Sequence, residues 1–125
     1  MIIDTDVLIW YMKGNEKAFK LIENTRDFSI SVITYMELVQ GMRNKDELNT
    51  LRKTLHSWGS NILYLSEEIS VKAMFFIEQY YLSYSIHLAD ALIGATALVS
   101  GQTILTANDK HYKILKDVNI KKFRP

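Results

Sequence analysis

Short β-like runs alternate with longer helical ones along this chain, and that alternation leaves few folds open. Ile2-Ile3 opens a strand ending near Asp4. Asp6 to Lys13 and Glu16 to Glu23 read as helical segments parted by Gly14-Asn15. Phe28 to Ser31 reads as a second strand, and Thr34 to Gly41 as a short helix whose glycine suits a C-terminal cap. Asn44 to Trp58 is amphipathic, with Leu48, Leu51, Leu55 and Trp58 on one face. Asn61 to Leu65 reads as a third strand, and Glu67 to Tyr84 as a long helix capped by Ser66. Leu88 to Val99 reads as an apolar helix closed by Gly101. Thr103 to Thr106 gives a fourth strand, Asp109 to Leu115 a short helix, and Ile120 to Phe123 a final edge strand. This order predicts βαβ units: an α/β fold with a mostly parallel sheet and helices on both faces. In such sheets, sites gather beyond the carboxyl ends of the strands.

With 125 residues the chain fits one domain, 1–125, and no linker or repeat divides it. It has no cysteine, which excludes disulfides, thiolate zinc sites and thiol catalysis, and fits a reducing compartment. The first residues lack a basic n-region, and acids interrupt the apolar run, so no signal peptide is expected. Nor does any uncharged apolar stretch reach the ~18 residues of a membrane span. The expected address is the cytoplasm, without membrane attachment.

Fifteen Lys and Arg face fourteen Asp and Glu, a net charge of +1. If four acids converge on one site, ten remain against fifteen bases, and the rest of the surface is +5. An acidic pocket in a mildly basic surface suits a phosphate-backbone substrate. Arg43, Lys45, Arg52 and Lys53 can track such a backbone, although a solvated helix face also accounts for them.

Four acids stand where strands should end or helices begin. Asp4 follows the two isoleucines and Asp6 comes two residues later; a helix cap needs only one acid, and Asp6 fits it well. Glu37 lies in Thr34-x-x-Glu37, which matches a capping box but also falls in the first turn after a strand. Asp90 stands alone in Leu88-Ala-Asp-Ala-Leu-Ile-Gly-Ala-Thr-Ala-Leu-Val99. A lone ionised carboxylate among apolar residues costs several kcal/mol (roughly) unless it is paired, metal-bound or favoured by a helix dipole. Asn108 and Asp109 follow the fourth strand and are natural caps, and Thr106 can orient a ligand or water there. His56, His87 and His111 show no metal-ligand spacing and read as surface or packing residues. No Gly-rich phosphate loop, G-x-S-x-G or H-E-x-x-H is present. What remains is hard oxygen ligands, the donor set of Mg²⁺ or Mn²⁺, ions that activate water and neutralise a phosphodiester.

Ile-Ile-Asp-Thr-Asp-Val-Leu-Ile at the start resembles the opening motif of PIN domains. Ile-Ser-Val-Ile-Thr-Tyr-Met-Glu-Leu-Val-Gln-Gly is similar to their second motif, Leu-Ala-Asp-Ala-Leu-Ile-Gly-Ala-Thr-Ala to the third, and Ile-Leu-Thr-Ala-Asn-Asp-Lys-His-Tyr to the fourth. The resemblance implies a three-layer α/β/α sandwich and a metal-dependent endoribonuclease. A free-standing domain of this length most resembles toxins of the VapC type. That implies a homodimer, a cognate antitoxin and a structured RNA substrate such as tRNA or rRNA. Carried over, Asp4, Glu37 and Asp90 match the three main metal-binding acids, and the fourth place falls to Asn108 or to Asp109 beside it. Thr5, Asp6 and Thr106 match positions that orient water or ligands.

Two other readings remain open. Ile-Ile-Asp-Thr-Asp-Val-Leu also fits the D-x-D-x-V opening of haloacid-dehalogenase-like phosphatases, with Asp4 as nucleophile and Asp6 as general acid. A catalytically silent interaction module with the same fold is the other, motivated by the neutral Asn108. The apolar faces of 44–58 and of Met74-Phe75-Phe76-Ile77 point independently to a dimer, although core packing uses such faces equally well.

Overall fold

The computed structural model describes residues 1–25 and 27–125. Five strands, β1 (Ile2–Ile3), β2 (Ser29–Ser31), β3 (Asn61–Leu63), β4 (Ile104–Thr106) and β5 (Ile120–Lys122), form one sheet in the order β3-β2-β1-β4-β5. Every pairing is parallel. Six helices connect and cover it: α1 (Thr5–Met12), α2 (Glu16–Asn24), α3 (Val32–Gln40), α4 (Lys45–Ser57), α5 (Glu67–Tyr80) and α6 (Leu88–Ser100). Among the described residues a single 3-10 turn, Asp109–His111, follows β4.

The pleat of the central strands sorts the core into two layers. Ile2 and Ile104, opposite each other in register, pack with Ile69, Phe76 and Ile93 of α5 and α6. Ile3 and Leu105 face the other way, onto Val7, Ile22, Leu38, Leu51 and Leu55 of α1 to α4. All four strand residues are almost wholly buried, which explains why β1 and β4 read as apolar runs instead of alternating with polar residues. The result is the three-layer α/β/α sandwich that the sequence predicts. The chain builds β2 and β3 to one side of β1 and then crosses to β4 and β5 on the other. The connection therefore reverses between β1 and β4, and the crevice beyond their carboxyl ends is where such sheets bind ligands.

Several helix boundaries differ from the sequence reading, each for a local reason. The cap of α1 is Asp4, not Asp6: its Oδ1 accepts from the Thr5 amide at 2.8 Å, and the helix starts at Thr5. The cap of α3 is Ser31, whose hydroxyl accepts from Ile33 N–H at 3.0 Å, so Thr34 lies inside the helix and no Thr34–Glu37 capping box forms. α5 ends at Tyr80, before a turn in which the Tyr84 amide donates to the Tyr80 carbonyl at 2.8 Å. The helix expected at Asp109 to Leu115 is only the 3-10 turn and the turns after it.

α6 closes as expected on Gly101, in the left-handed conformation at φ 67°. Within it, Gly94 lets the segment after β4 lie against the helix: a Cβ there would fall 2.5 Å from Leu115 Cδ1. That approach brings Asp90 and the residues following β4 to the same place.

Candidate metal centre

Asp4 sits where β1 runs into α1, at the switch point of the sheet. It is 7% exposed, and Thr106, at the end of β4, donates its hydroxyl to Asp4 Oδ2 at 2.8 Å. Burial, and then the charge of Asp6, push its carboxyl up to about 6, against the pull of these hydrogen bonds. Asp6, in the first turn of α1, turns back towards the same strand end. Its Oδ2 accepts from Ala107 N–H at 3.1 Å and lies 3.3 Å from the Thr106 hydroxyl, while its buried Oδ1 has no partner. Burial raises the Asp6 carboxyl too, partly offset by the backbone amides of Val7, Ala107 and Asn108. Two carboxylates thus share one buried hydroxyl, an arrangement that costs free energy unless a cation offsets their repulsion.

Glu37 reaches the cleft from the middle of α3. Thr5 Oγ1 donates to its Oε1 at 2.7 Å and lies 3.0 Å from Thr34 Oγ1. Thr5 and Thr34 are both buried, so the glutamate leans on a fixed hydroxyl pair instead of capping its own helix. Asp90 stands in the first turn of α6 with its side chain 14% exposed. Burial raises its carboxyl, and His111 and His87 oppose that: their Nδ1 atoms stand 3.4 Å and 3.7 Å from Oδ2.

One cleft of 260 Å³ is lined by Asp4, Asp6, Glu37 and Asp90, with Thr5, Asn108, His87 and His111 on its walls and rim. Among the described residues no lysine lines it. Three larger hollows exist, one lined by Val71, Phe75, Leu98 and Val99, one by Met12, Met42, Leu51 and Trp58, and one by Ile22, Glu23, Thr25 and Ser57, but none gathers the strand-end acids. The smaller cleft, which gathers the acids, is the candidate site.

The 3-10 turn separates the two candidates for the fourth position. Asn108 lines the cleft, whereas Asp109 turns away from it to Lys113 at 2.9 Å and Lys122 at 3.5 Å. The Lys113 hydrogen bond holds the Asp109 carboxyl below its usual range. Asp109 is therefore not brought together with Asp4, Glu37 and Asp90. Asp109→Asn is expected to leave divalent-cation affinity within about threefold of wild type and to change stability little, since both lysines are substantially exposed. A metal titration followed by thermal unfolding checks both, and loss of cation binding would return Asp109 to the site.

His87 and His111, read from sequence as surface or packing residues, belong to the rim of the cleft; His56 alone is simply exposed on α4. The spacing His87-x-x-Asp90 across the start of a helix is a signal that could have pointed to the first. No local pattern points to His111, which arrives through the fold. Tyr112 is the other residue missed. Its ring is wholly buried against α6, its hydroxyl faces Asp4 without a well-formed hydrogen bond among the described residues, and burial followed by the charges of Asp4 and Asp90 pushes it far above the ordinary tyrosine range.

The donor set fits a hard divalent cation: carboxylate oxygens from three elements, the unpartnered Asp6 Oδ1, and no sulfur. Among the described residues, no three acids or histidines are already drawn together tightly enough to grip an ion.

The family model for the PIN domain matches residues 1–117. Ribonuclease VapC1 of Methanocaldococcus jannaschii is 27% identical, over 97% of this chain and 85% of that protein. A toxin–antitoxin complex from Klebsiella pneumoniae holds a chain 27% identical, with a TM-score of 0.78 and coverage of 94% of this chain and 93% of that one. DNA-bound VapBC from Salmonella typhimurium, at 19% identity, shares the fold with a TM-score of 0.83 over 97% of this chain and 96% of that one.

Proposed function

The chain belongs to the PIN domain family, and we propose that it is a divalent-metal-dependent endoribonuclease, the toxin of a type II toxin–antitoxin pair acting in the cytoplasm. One observation carries the catalytic reading: Asp4, Asp6, Glu37 and Asp90, from three separate elements, line one cleft at the switch point of the sheet. The similarity to a ribonuclease over nearly the whole chain supports the substrate class.

Asp4 and Asp90 would hold Mg²⁺ or Mn²⁺ with Glu37. Such an ion, when bound, acidifies a water and neutralises charge on a phosphodiester. The chain's own part is to hold the acids apart but aimed at one point. Thr106 fixes Asp4 and Asp6 through one hydroxyl, and Thr5 fixes Glu37. Asn108 offers a neutral amide on the fourth side, able to orient water or substrate without adding charge. RNA reaches this shallow cleft more readily as an unstacked single strand than as a duplex, which favours the loops of tRNA or rRNA.

Purified protein is expected to cut bulk or transfer RNA at discrete sites with Mg²⁺ or Mn²⁺, and not in EDTA. Cleavage indifferent to EDTA would remove the metal reading. No cleavage under any condition would favour a silent interaction module.

The toxin assignment adds two partners, a cognate antitoxin and a second copy of the chain. It draws support from the toxin–antitoxin complex to which this chain is similar. For self-association the two apolar stripes now differ. Leu51 and Leu55 of α4 are spent on the core, whereas Met74 and Phe75 of α5 remain 57% and 49% exposed. A homodimer through α5 is therefore expected in sedimentation at micromolar concentration, and Phe75→Glu is expected to weaken it at least tenfold by burying an unpaired charge. Monomer alone in the wild type would remove it.

A further inference from the structure

Two exposed histidines converge on a single carboxylate oxygen. His87 Nδ1 stands 3.7 Å from Asp90 Oδ2, and His111 Nδ1 stands 3.4 Å from the same atom. They come from separate parts of the chain: His87 is the residue before α6, and His111 ends the 3-10 turn after β4. Their rings meet edge to face, with centroids 5.9 Å apart and planes at 66°. Each ring thus restricts the rotation of the other, although the side chains are 72% and 41% exposed.

Neither ring has another evident task. His87 occupies the N-cap position of α6 but makes no side-chain cap hydrogen bond. Both rings present Nδ1 to the same oxygen of Asp90.

We propose that His87 and His111 are positioning residues that clamp Asp90 in place for a divalent cation. This rests on the reading of Asp90 as a metal ligand. In the neutral imidazole with its proton on Nδ1, each ring donates towards Oδ2 and leaves Nε2 free. The two contacts are longer than formed hydrogen bonds. They flank the carboxylate oxygen with two donors and leave it room to turn towards an arriving ion. Partners of this kind orient a ligating carboxylate and are worth about 10–100-fold in metal affinity.

The test is a Mg²⁺ titration followed by thermal unfolding, with RNA cleavage measured at each Mg²⁺ concentration. In the double variant His87→Ala/His111→Ala, half-maximal stabilisation is expected at about 10–100-fold more Mg²⁺ than in wild type. Both residues are exposed, so its melting temperature in EDTA is expected within a few degrees (roughly) of wild type. Cleavage at saturating Mg²⁺ is expected to return to within about threefold of wild type, because the histidines act through the ion's affinity and not on the substrate. On the His87→Ala background, His111→Asn places an amide donor near the Nδ1 position and is expected to retain affinity, whereas His111→Gln places it near Nε2 and is expected to lose it.

Unchanged Mg²⁺ dependence in the double variant, with wild type binding normally, overturns the clamp and leaves the metal centre standing. A cleavage defect that persists at saturating Mg²⁺ also overturns it, and marks a histidine that touches RNA. Equal behaviour of the Asn and Gln variants overturns the assignment to Nδ1. A wild type that binds no cation removes the metal centre first, and the clamp falls with it.

Discussion

Asp90→Asn is expected to cut RNA cleavage about a thousandfold, close to 4 kcal/mol of transition-state stabilisation, while leaving the fold intact. The substitution is nearly isosteric, and Asp90 lies in the first turn of α6, where no side chain caps the helix. Its neighbours are the small residues of α6 and two histidine rings, whose Nδ1 atoms can still face the amide oxygen of an asparagine. Removal of that charge relieves a partly buried carboxylate whose proton affinity burial already raises. The apo protein should therefore be no less stable than wild type. Its stabilisation by millimolar Mg²⁺ should vanish, because that stabilisation is the linkage between folding and cation binding. The measurement pairs initial cleavage rates with melting curves in Mg²⁺ and in EDTA. A variant that cuts RNA at more than a tenth of the wild-type rate would remove Asp90 from the machinery. One that is inactive and also unfolded in EDTA would make it a structural residue.

The parts of this molecule legible from sequence are those fixed by neighbours along the chain. Ile2-Ile3 before Asp4 and Ile104-Leu105 before Thr106 read as buried strands because both faces of the central sheet are covered, and they are. Asp90 stood out because an acid within an apolar helix demands a reason, and its place in the cleft supplies one. Legibility failed where two local signals competed for one job. Asp4 and Asp6 both fit a helix cap; Asp4 takes it and still faces the cleft, since one carboxylate has an oxygen for each. Thr34 and Glu37 have the spacing of a capping box, but Ser31 starts the helix one turn earlier and frees Glu37 for Thr5. The histidines were invisible for another reason. Residues 87 and 111 meet only after α6 packs against the segment following β4, and no spacing along the chain encodes that contact.

The acids also connect the site to the stability of the whole protein, and Asp4 is where the connection is strongest. Its carboxyl titrates at about 6 in the folded chain against 3.8 when unperturbed. The folded state therefore binds this proton more tightly than the unfolded state, and its stability falls as pH rises between those two values. Without a cation, the ionised Asp4 costs about 2–3 kcal/mol at pH 7.5, and the cost disappears below about pH 4. Asn is as good a helix cap as Asp, so Asp4→Asn keeps the hydrogen bond to the Thr5 amide and removes the charge. In EDTA at pH 7.5 the variant should melt roughly 5–10 °C above wild type. The gap should close as the pH is lowered through 6 towards 4, since Asp4 then carries its proton in both states. Asp90, raised in the same direction, is common to both proteins, whereas Asp6, whose charge helps to raise Asp4, is relieved by the substitution and adds to the gap. Millimolar Mg²⁺ should reverse the order by stabilising only the wild type. A variant that melts at or below wild type in EDTA at pH 7.5, or a gap that does not change with pH, would mean that Asp4 carries no unfavourable charge. The case for a cation there would then lose its physical cause.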